Sequence, residues 1–349
     1  MDRGGHDRVI AVNDRASGLS GWIALHDTKR GPSYGGIRVW RYPNEATAML
    51  DALRLSRAMT WKCVLAGVRG GGAKTVVLSD RIIDRPAAMR RLGEIVEQLG
   101  GIYRCGPDAG FVEADEIAIT KTTKYFAHEA KSMRPSGQAT SDGVVWGIRA
   151  ALESLEGSDN LEGRTIAIQG LGAVGMPLAE KLLAAGCKVY GADINPEAVS
   201  HAESMGVKMV NPPDIYEVES DVFSPCALGG VLHDLTIQRL KTKIVAGAAN
   251  NTLARPGHAA LLASRSILYI PDFVLNAGAL IEGVGNEQSG QTDFSAELRN
   301  IGTTVGDILV RAKADGKTPR DTAIMMAREV LSAEGSSSPQ MEEEDEDSI

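Results

Sequence analysis

Much that would point to other classes of protein is missing from this chain of 349 residues. Nowhere do the roughly 18–20 consecutive apolar residues of a membrane span occur. The start, M-D-R-G-G-H-D-R, lacks the apolar centre of a secretory signal. The cysteines, Cys63, Cys105, Cys187 and Cys226, are scattered and form no C-x-x-C pair. That speaks against a disulfide framework and a zinc site, and for the reduced thiols of a cytoplasmic protein. The six histidines show no H-x-x-x-H or similar spacing, so no metal is expected. The net charge of −8 is dominated by six consecutive acids at 342–347, and without them the body carries about −2. No basic patch of the kind nucleic-acid binding needs is left. The Ser-rich acidic end, 334–349, reads as a solvated, disordered tail.

What is present is the composition of a soluble globular protein, 43% apolar and 23% charged. At about 100–200 residues per domain, the length implies two domains. Val9–Val12 and Trp22–His26 read as a hairpin, and Ile37–Trp40 as a further strand. Tyr42-Pro43-Asn44 opens a long helix with Ala46, Leu50 and Leu53 on one face. The Gly35-Gly36 pair would let a ligand approach the backbone. The stretch Met59–Lys74, M-T-W-K-C-V-L-A-G-V-R-G-G-G-A-K, holds Lys62 and Lys74 around an apolar run and three glycines. Lysine is seldom buried unless paired. A desolvated lysine loses its proton more easily and can act as a base. A wet turn before the strand Thr75–Leu78 is the alternative. Asp108 follows a strand end and a Gly-Pro turn, a good place to hold a carboxylate at a cleft. It could equally cap the helix around Glu113–Ile119. The polar segment Ser132–Thr140 marks a boundary, giving a first domain at 1–135 and a second at 136–317. Thr318-Pro319 opens a closing helix, about 318–333, that can pack back on the first domain.

The second domain carries the most specific signal. A β-branched strand, Thr165–Ile168, runs into G-x-G-x-x-G at Gly170, Gly172 and Gly175. A helix with Leu178, Leu182 and Leu183 follows, then a strand ending at Asp193. Strand, glycine turn, helix, strand and acid together make a dinucleotide-binding context. The turn residues Gly170, Gly172, Ala173, Val174 and Gly175 would bring backbone N–H groups to a pyrophosphate. Asp193, 23 residues after Gly170, would hold the adenosine ribose 2′-hydroxyl. No arginine follows it, which favours NAD over NADP. Further parallel strands are expected at 221–223, 243–246 and 267–270, with ligand-facing loops at their carboxyl ends. Asn250 and Asn251 would bond a cofactor amide or serve as turn residues.

Several motifs in one order resemble the glutamate/leucine/phenylalanine/valine dehydrogenases, and the leucine and phenylalanine enzymes most. They are H-D-T-x-x-G-P-x-x-G-G at 26–36, M-T-W-K at 59–62, G-G-A-K at 71–74 and G-P-D at 106–108. G-L-G-A-V-G at 170–175, S-P-C-A-L-G-G at 224–230, G-A-A-N-N at 247–251 and D-F-V-L-N-A-G at 272–278 complete the set. The resemblance implies an α/β fold of two domains. An N-terminal substrate domain with a mixed sheet would be followed by a Rossmann-type NAD-binding domain, with the active-site cleft between them. It implies oxidative deamination of an L-amino acid to a 2-oxo acid and ammonia, run by a homo-oligomer, with a cleft that closes to exclude water.

The resemblance also assigns roles. Lys62, with Met59 of the same motif, Asn276 and the backbone near Gly35, would hold the substrate carboxylate. Lys74 would activate water, its charge disfavoured by Lys62 and the oxidised cofactor. Asp108 would exchange protons with the amino group. Thr140, Cys226, Ala227 and Asn250 would face the nicotinamide end of NAD. Tyr34, Gly106, Leu280 and Gly283 would flank the substrate side chain. None is charged, and the glycines leave room, so a bulky apolar or aromatic, phenylalanine-like substrate is expected, with leucine or valine second. Ala279 and Glu282 depart from the family pattern. A cleft-facing Glu282 would imply a substrate with a polar or basic group. A catalytically silent NAD-binding protein on the same fold is the reading from another class.

Overall fold

The computed structural model describes residues 5–127 and 133–335. The acidic run at 342–347 lies outside the described residues. The described chain divides into two compact units, one of residues 5–127 and 327–335, the other of 133–326.

The first unit runs β1 (Arg8–Asp14), β2 (Leu19–Leu25), β3 (Ser33–Trp40), α1 (Glu45–Leu65), β4 (Gly71–Leu78), α2 (Arg85–Gln98), β5 (Tyr103–Pro107) and α3 (Glu113–Ile119). Its sheet has the order β1-β2-β4-β3-β5. β2 pairs antiparallel with β1 and β4, while β3 pairs parallel with β4 and β5. This is the expected mixed sheet. Period-two alternation divides its side chains. Ile23, Leu25, Ile37, Val39 and Val77 pack on Met89, Leu92 and Ile119. Ala24, Val76 and Leu78 pack on Ala48 and Ala52 of α1. Asn44 caps α1, its side chain accepting from Thr47 N. The buried face of α1 is Ala48, Ala52, Leu55 and Ser56, whereas Ala46 is exposed and Leu50 and Leu53 are half-buried. The expected face was offset because small alanines, not leucines, sit where the helix meets the sheet.

Glycines allow that approach. A Cβ on Gly72 would lie 2.2 Å from Thr60 N and 2.3 Å from Ser56 O, so α1 rests directly on β4. Gly71 and Gly72 therefore belong to the strand, not to a wet turn. His26 ties the same corner together: its backbone N–H donates to Gly72 O at 2.8 Å and its Nδ1 lies 2.8 Å from Thr60 Oγ1.

The second unit runs α4 (Ser136–Glu156), β6 (Thr165–Gln169), α5 (Gly175–Ala184), β7 (Lys188–Ala192), α6 (Pro196–Ser204), β8 (Lys208–Met209) and β9 (Ser220–Pro225). It continues with α7 (Asp234–Arg239), β10 (Thr242–Val245), α8 (His258–Ser264), β11 (Leu268–Tyr269), α9 (Asp272–Leu275), α10 (Gly278–Ser289) and α11 (Ser295–Asp315). Helix α12 (Pro319–Ala333) starts in this unit and ends in the first, where Glu334 pairs with Arg30 at 2.6 Å. The sheet is parallel throughout, in the order β11-β10-β9-β6-β7-β8. That is the doubly wound dinucleotide-binding order, with its switch point between β6 and β9. The polar segment read as a boundary is helical from Ser136 on. Packing overrides its composition: a Cβ on Gly137 would lie 1.9 Å from Ala173 O. Asn276 follows a short helix, α9, where a strand-to-helix junction was expected. No helix among the described residues is long and apolar enough to cross a membrane.

Gly72→Val should lower the unfolding free energy by about 1–3 kcal/mol, and the urea midpoint with it, because the backbone of α1 must move. Gly306→Ala, whose methyl would meet no atom within 4 Å, should be neutral or stabilising by about 0.5–1 kcal/mol. Equal midpoints for the two variants in urea would overturn this account of the α1–β4 packing.

Candidate active site

In the first unit the lysine of the glycine-rich strand is buried. Lys74 is 6% exposed, and its Nζ lies 2.7 Å from Asp108 Oδ2. The same oxygen accepts from Arg38 Nε at 2.9 Å. Arg38 Nη1 reaches Asp51 Oδ2 of α1 at 3.0 Å, and Tyr42 donates its hydroxyl to that oxygen. Lys74 and Arg38 come together because Arg38 is in register with Val76, two residues on from Lys74, so both side chains share a face of the sheet. Gly36 makes room, since a Cβ there would lie 2.7 Å from Asp108 Cβ. Asp108 does not cap α3. Val112 holds the N-cap position, and its N–H donates to Asp115 Oδ2.

Burial would raise the Asp108 carboxyl, but the charges of Lys74 and Arg38 bring it down to about 2. It is ionised across the neutral range. Burial lowers Lys74, Asp108 opposes that, and Arg38 adds to the lowering. A neighbouring cation that depresses Lys74 is thus Arg38, which the sequence reading did not name. Lys62 and Met59 sit one turn apart near the end of α1, both half-buried. Gly35 is closed to any side chain, with a Cβ 1.8 Å from Ala73 O. Tyr34 is buried, its ring lying where a Cβ on Gly70 would fall, 2.6 Å from Tyr34 Cε2. Among the described residues, a Cβ on Gly106 would find only Ala127 Cβ, at 3.8 Å.

In the second unit the three glycines differ in kind. Gly170 has φ +90°, and a Cβ there would lie 2.7 Å from Ala227 Cβ. A Cβ on Gly175 would lie 1.9 Å from Gly170 O. A Cβ on Gly172 meets nothing within 4 Å. The outer two make the turn and seat the helix. The middle one keeps space open above the Ala173-Val174 backbone. Asp193 Oδ2 accepts from Leu171 N at 2.6 Å and its Oδ1 from Asn195 N at 2.8 Å, fixing the acid at the end of β7. Cys226, whose thiol burial pushes up, follows β9, and its N–H donates to Gln169 O.

Asn276 Nδ2 donates to Ala248 O at 3.1 Å and to Asn250 Oδ1 at 2.8 Å. The first acceptor is a carbonyl, which fixes the amide orientation. Asn276 Oδ1 is buried and has no hydrogen-bond partner. A buried, orphaned acceptor beside the strand ends suits an incoming N–H donor, and a nicotinamide carboxamide carries one. The open Gly172 turn and this acceptor both fit a nicotinamide dinucleotide. Thr140 is buried in α4, its hydroxyl donating to Ser136 O at 3.1 Å. Leu280 is half-buried and Gly283 exposed on α10. Glu282 of the same helix is buried and accepts from Arg134 Nε at 2.9 Å and Nη2 at 2.6 Å. Its charge is matched within the unit, which removes the reason to expect a basic substrate.

The sequence reading missed Arg38, Asp51, Tyr42 and Arg134. A charged residue at an inward position of the strand Ile37–Trp40 was the available signal for Arg38. No local pattern marks the other three.

Comparison with known proteins bears on both units. The family described as Glu/Leu/Phe/Val dehydrogenase, dimerisation domain, matches residues 6–130. Glutamate/Leucine/Phenylalanine/Valine dehydrogenase matches 192–334. The NAD binding domain of D-isomer specific 2-hydroxyacid dehydrogenases matches 129–229. Leucine dehydrogenase of Geobacillus stearothermophilus is 40% identical over 94% of this chain and 91% of its own. Phenylalanine dehydrogenase of Lysinibacillus sphaericus is 41% identical over 79% and 75%. The solved structure of L-tryptophan dehydrogenase from Nostoc punctiforme superposes with a TM-score of 0.83 at 36% identity, covering 96% of this chain and 98% of that one. Fold and relatives together define an oxidoreductase of the amino acid dehydrogenase class. Within it, the chain belongs to the glutamate/leucine/phenylalanine/valine dehydrogenase family.

The glycines generate a paired test. Gly172→Val should fold normally and lose dinucleotide binding, whereas Gly175→Val should unfold at lower denaturant than the parent chain. Undiminished NADH binding by Gly172→Val, measured by fluorescence titration, would show that the turn is not the pyrophosphate site.

Proposed function

We propose that the protein catalyses the reversible, NAD-dependent oxidative deamination of an L-amino acid with a bulky apolar or aromatic side chain, yielding the 2-oxo acid and ammonia. The observation that carries this reading is Lys74: a buried ammonium on an ionised aspartate, its charge disfavoured by burial and by Arg38. Bound NAD supplies the hydride acceptor. Lys62 fixes the substrate carboxylate by a charge-assisted hydrogen bond, with the Gly35 backbone beside it. Asp108 receives the substrate amino group and exchanges protons with it. A substrate ammonium at Asp108 competes with Lys74 for the carboxylate. Lys74 then loses part of its counter-charge, gives up its proton more readily and takes one from the attacking water. The Gly170–Gly175 turn and Asp193 hold the dinucleotide, and Thr140, Cys226, Ala227 and Asn250 line its nicotinamide end. Asn276 serves that end too. Both hydrogens of its amide nitrogen are engaged, so what it offers is an acceptor, which a substrate carboxylate cannot use.

For the side chain, Tyr34, Gly106, Leu280 and Gly283 are uncharged, and the two glycines leave room; a phenylalanine-like substrate fits this set. Leucine or valine is the second reading, supported by the buried ring of Tyr34, which takes up space. The first unit matches a description that names a dimerisation domain, which supports a homo-oligomer; a monomeric mass by light scattering would contradict it.

Lys74→Ala should retain NAD binding while turnover falls roughly 10²–10⁴-fold, the usual scale for a lost general base. Near parental turnover would favour a catalytically silent NAD-binding protein or another base. A panel of kcat/KM values over L-amino acids tests the side-chain reading. A preference for leucine or valine over phenylalanine of about tenfold, or 1.4 kcal/mol, would reverse it.

A further inference from the structure

We propose that Arg38 is a positioning residue for the Lys74–Asp108 pair, held in place by Asp51 and Tyr42, so that this chain of side chains sets how readily Lys74 gives up its proton. The inference rests on the function proposed above and adds three residues to its machinery.

The geometry is that of a clamp. Two cations, Lys74 at 2.7 Å and Arg38 at 2.9 Å, share one oxygen of Asp108. The guanidinium spans two carboxylates with different nitrogens, Nε to Asp108 and Nη1 to Asp51. A planar fork held at both ends has little freedom to rotate. Tyr42 fills a further bonding position of Asp51, and its own proton is held firmly, its hydroxyl raised by burial and by Asp51. Asp51 lies on α1 and Arg38 on β3, so the clamp links the helix to the strand beside Lys74.

The charges act on Lys74 in opposite senses. Arg38 is a like charge that disfavours its ammonium, and Asp51 is an opposite charge that favours it. The groups that interact with the pair or with Arg38 are Arg38 from β3, Asp51 from α1, Tyr42 just before that helix, and Tyr103 from β5, which acts on Asp108. β2 places the uncharged Ala24 opposite Lys74. A clamp made for packing alone would have no reason to oppose these signs at one ammonium.

The test uses the full chain and two readouts. One is the pH dependence of reductive methylation of Lys74 by formaldehyde, followed by the mass of its peptide. The other is the pH profile of kcat/KM for amino acid oxidation. In Arg38→Gln the Lys74 titration should move to higher pH by about 0.5–1 unit, since a like charge a few ångströms away is removed. In Asp51→Asn it should move to lower pH. Arg38→Lys should keep the parental midpoint with slower turnover, because the charge stays and the two-ended hold is lost. If Arg38→Gln does not fold, the downward shift in Asp51→Asn and the unmoved midpoint in Arg38→Lys carry the proposal. Unshifted labelling midpoints in Asp51→Asn, or in a folded Arg38→Gln, overturn it, as does a lower rate with an unchanged profile in either of those two variants. Labelling needs no turnover. A parental enzyme that oxidises no amino acid would therefore defeat the proposed function, while the labelling still decides the role of Arg38.

Discussion

The buried ion pair of Lys74 and Asp108 imposes the constraint that most of the first unit answers. Removing an ammonium from water is costly, and losing one partner of a buried pair typically costs about 3–5 kcal/mol. The pair persists because its surroundings are fixed from several sides. β4 holds Lys74 in a strand that is buried along its whole length. Gly36 brings the Asp108 side chain up against β3. Gly72 lets α1 lie on β4 with no side chain between them. His26 and Thr60 tie the hydrogen bonds at that corner. Such an arrangement is expensive for folding, and it holds an ammonium and a carboxylate in contact at fixed positions.

The second unit solves a different problem with the same residue type. Its glycines serve a turn, an open backbone and a helix contact, and only the open one, Gly172, does nothing for the fold itself. This explains why the dinucleotide turn was legible in the sequence. Each feature of strand, turn, helix and acid is local, falls at a fixed offset and has its own steric cause. The order of the six parallel strands then follows from the doubly wound connection rule. The mixed sheet of the first unit was legible as a class, but its register was not. Lys74 could be suspected from an apolar setting, yet no sequence spacing announces that it meets Asp108, thirty-four positions away. The motif resemblance supplied that link.

Where the sequence misled, long-range packing was the reason. Ser136–Thr140 has the composition of a linker, yet it begins a helix because Gly137 fits against the Ala173 carbonyl. Ala46, Leu50 and Leu53 have the right period for a buried face, yet the helix turns its alanines to the sheet. Glu282 looked like an acid awaiting a substrate because Arg134, its partner, is 148 positions away. Arg38 was passed over for the same reason: its importance lies in Asp108 and Asp51, neither of which is near it in sequence.

The residues around Lys74 are held more tightly by their neighbours than the glycines proposed to flank a substrate side chain. Lys74, Asp108, Arg38 and Asp51 are interlocked, so a change at one disturbs the others. Gly106 and Gly283 are not. Among the described residues, an added methyl at Gly283 meets no atom within 4 Å, and at Gly106 only one, at 3.8 Å. Positions that accept new atoms without moving their neighbours can change with little cost to the fold. Relatives named for leucine and for phenylalanine accordingly stand at 40% and 41% identity to this chain, and a tryptophan dehydrogenase shares its fold at 36%. Overall identity therefore does not separate the substrates, and direct comparison of them is the measurement that can.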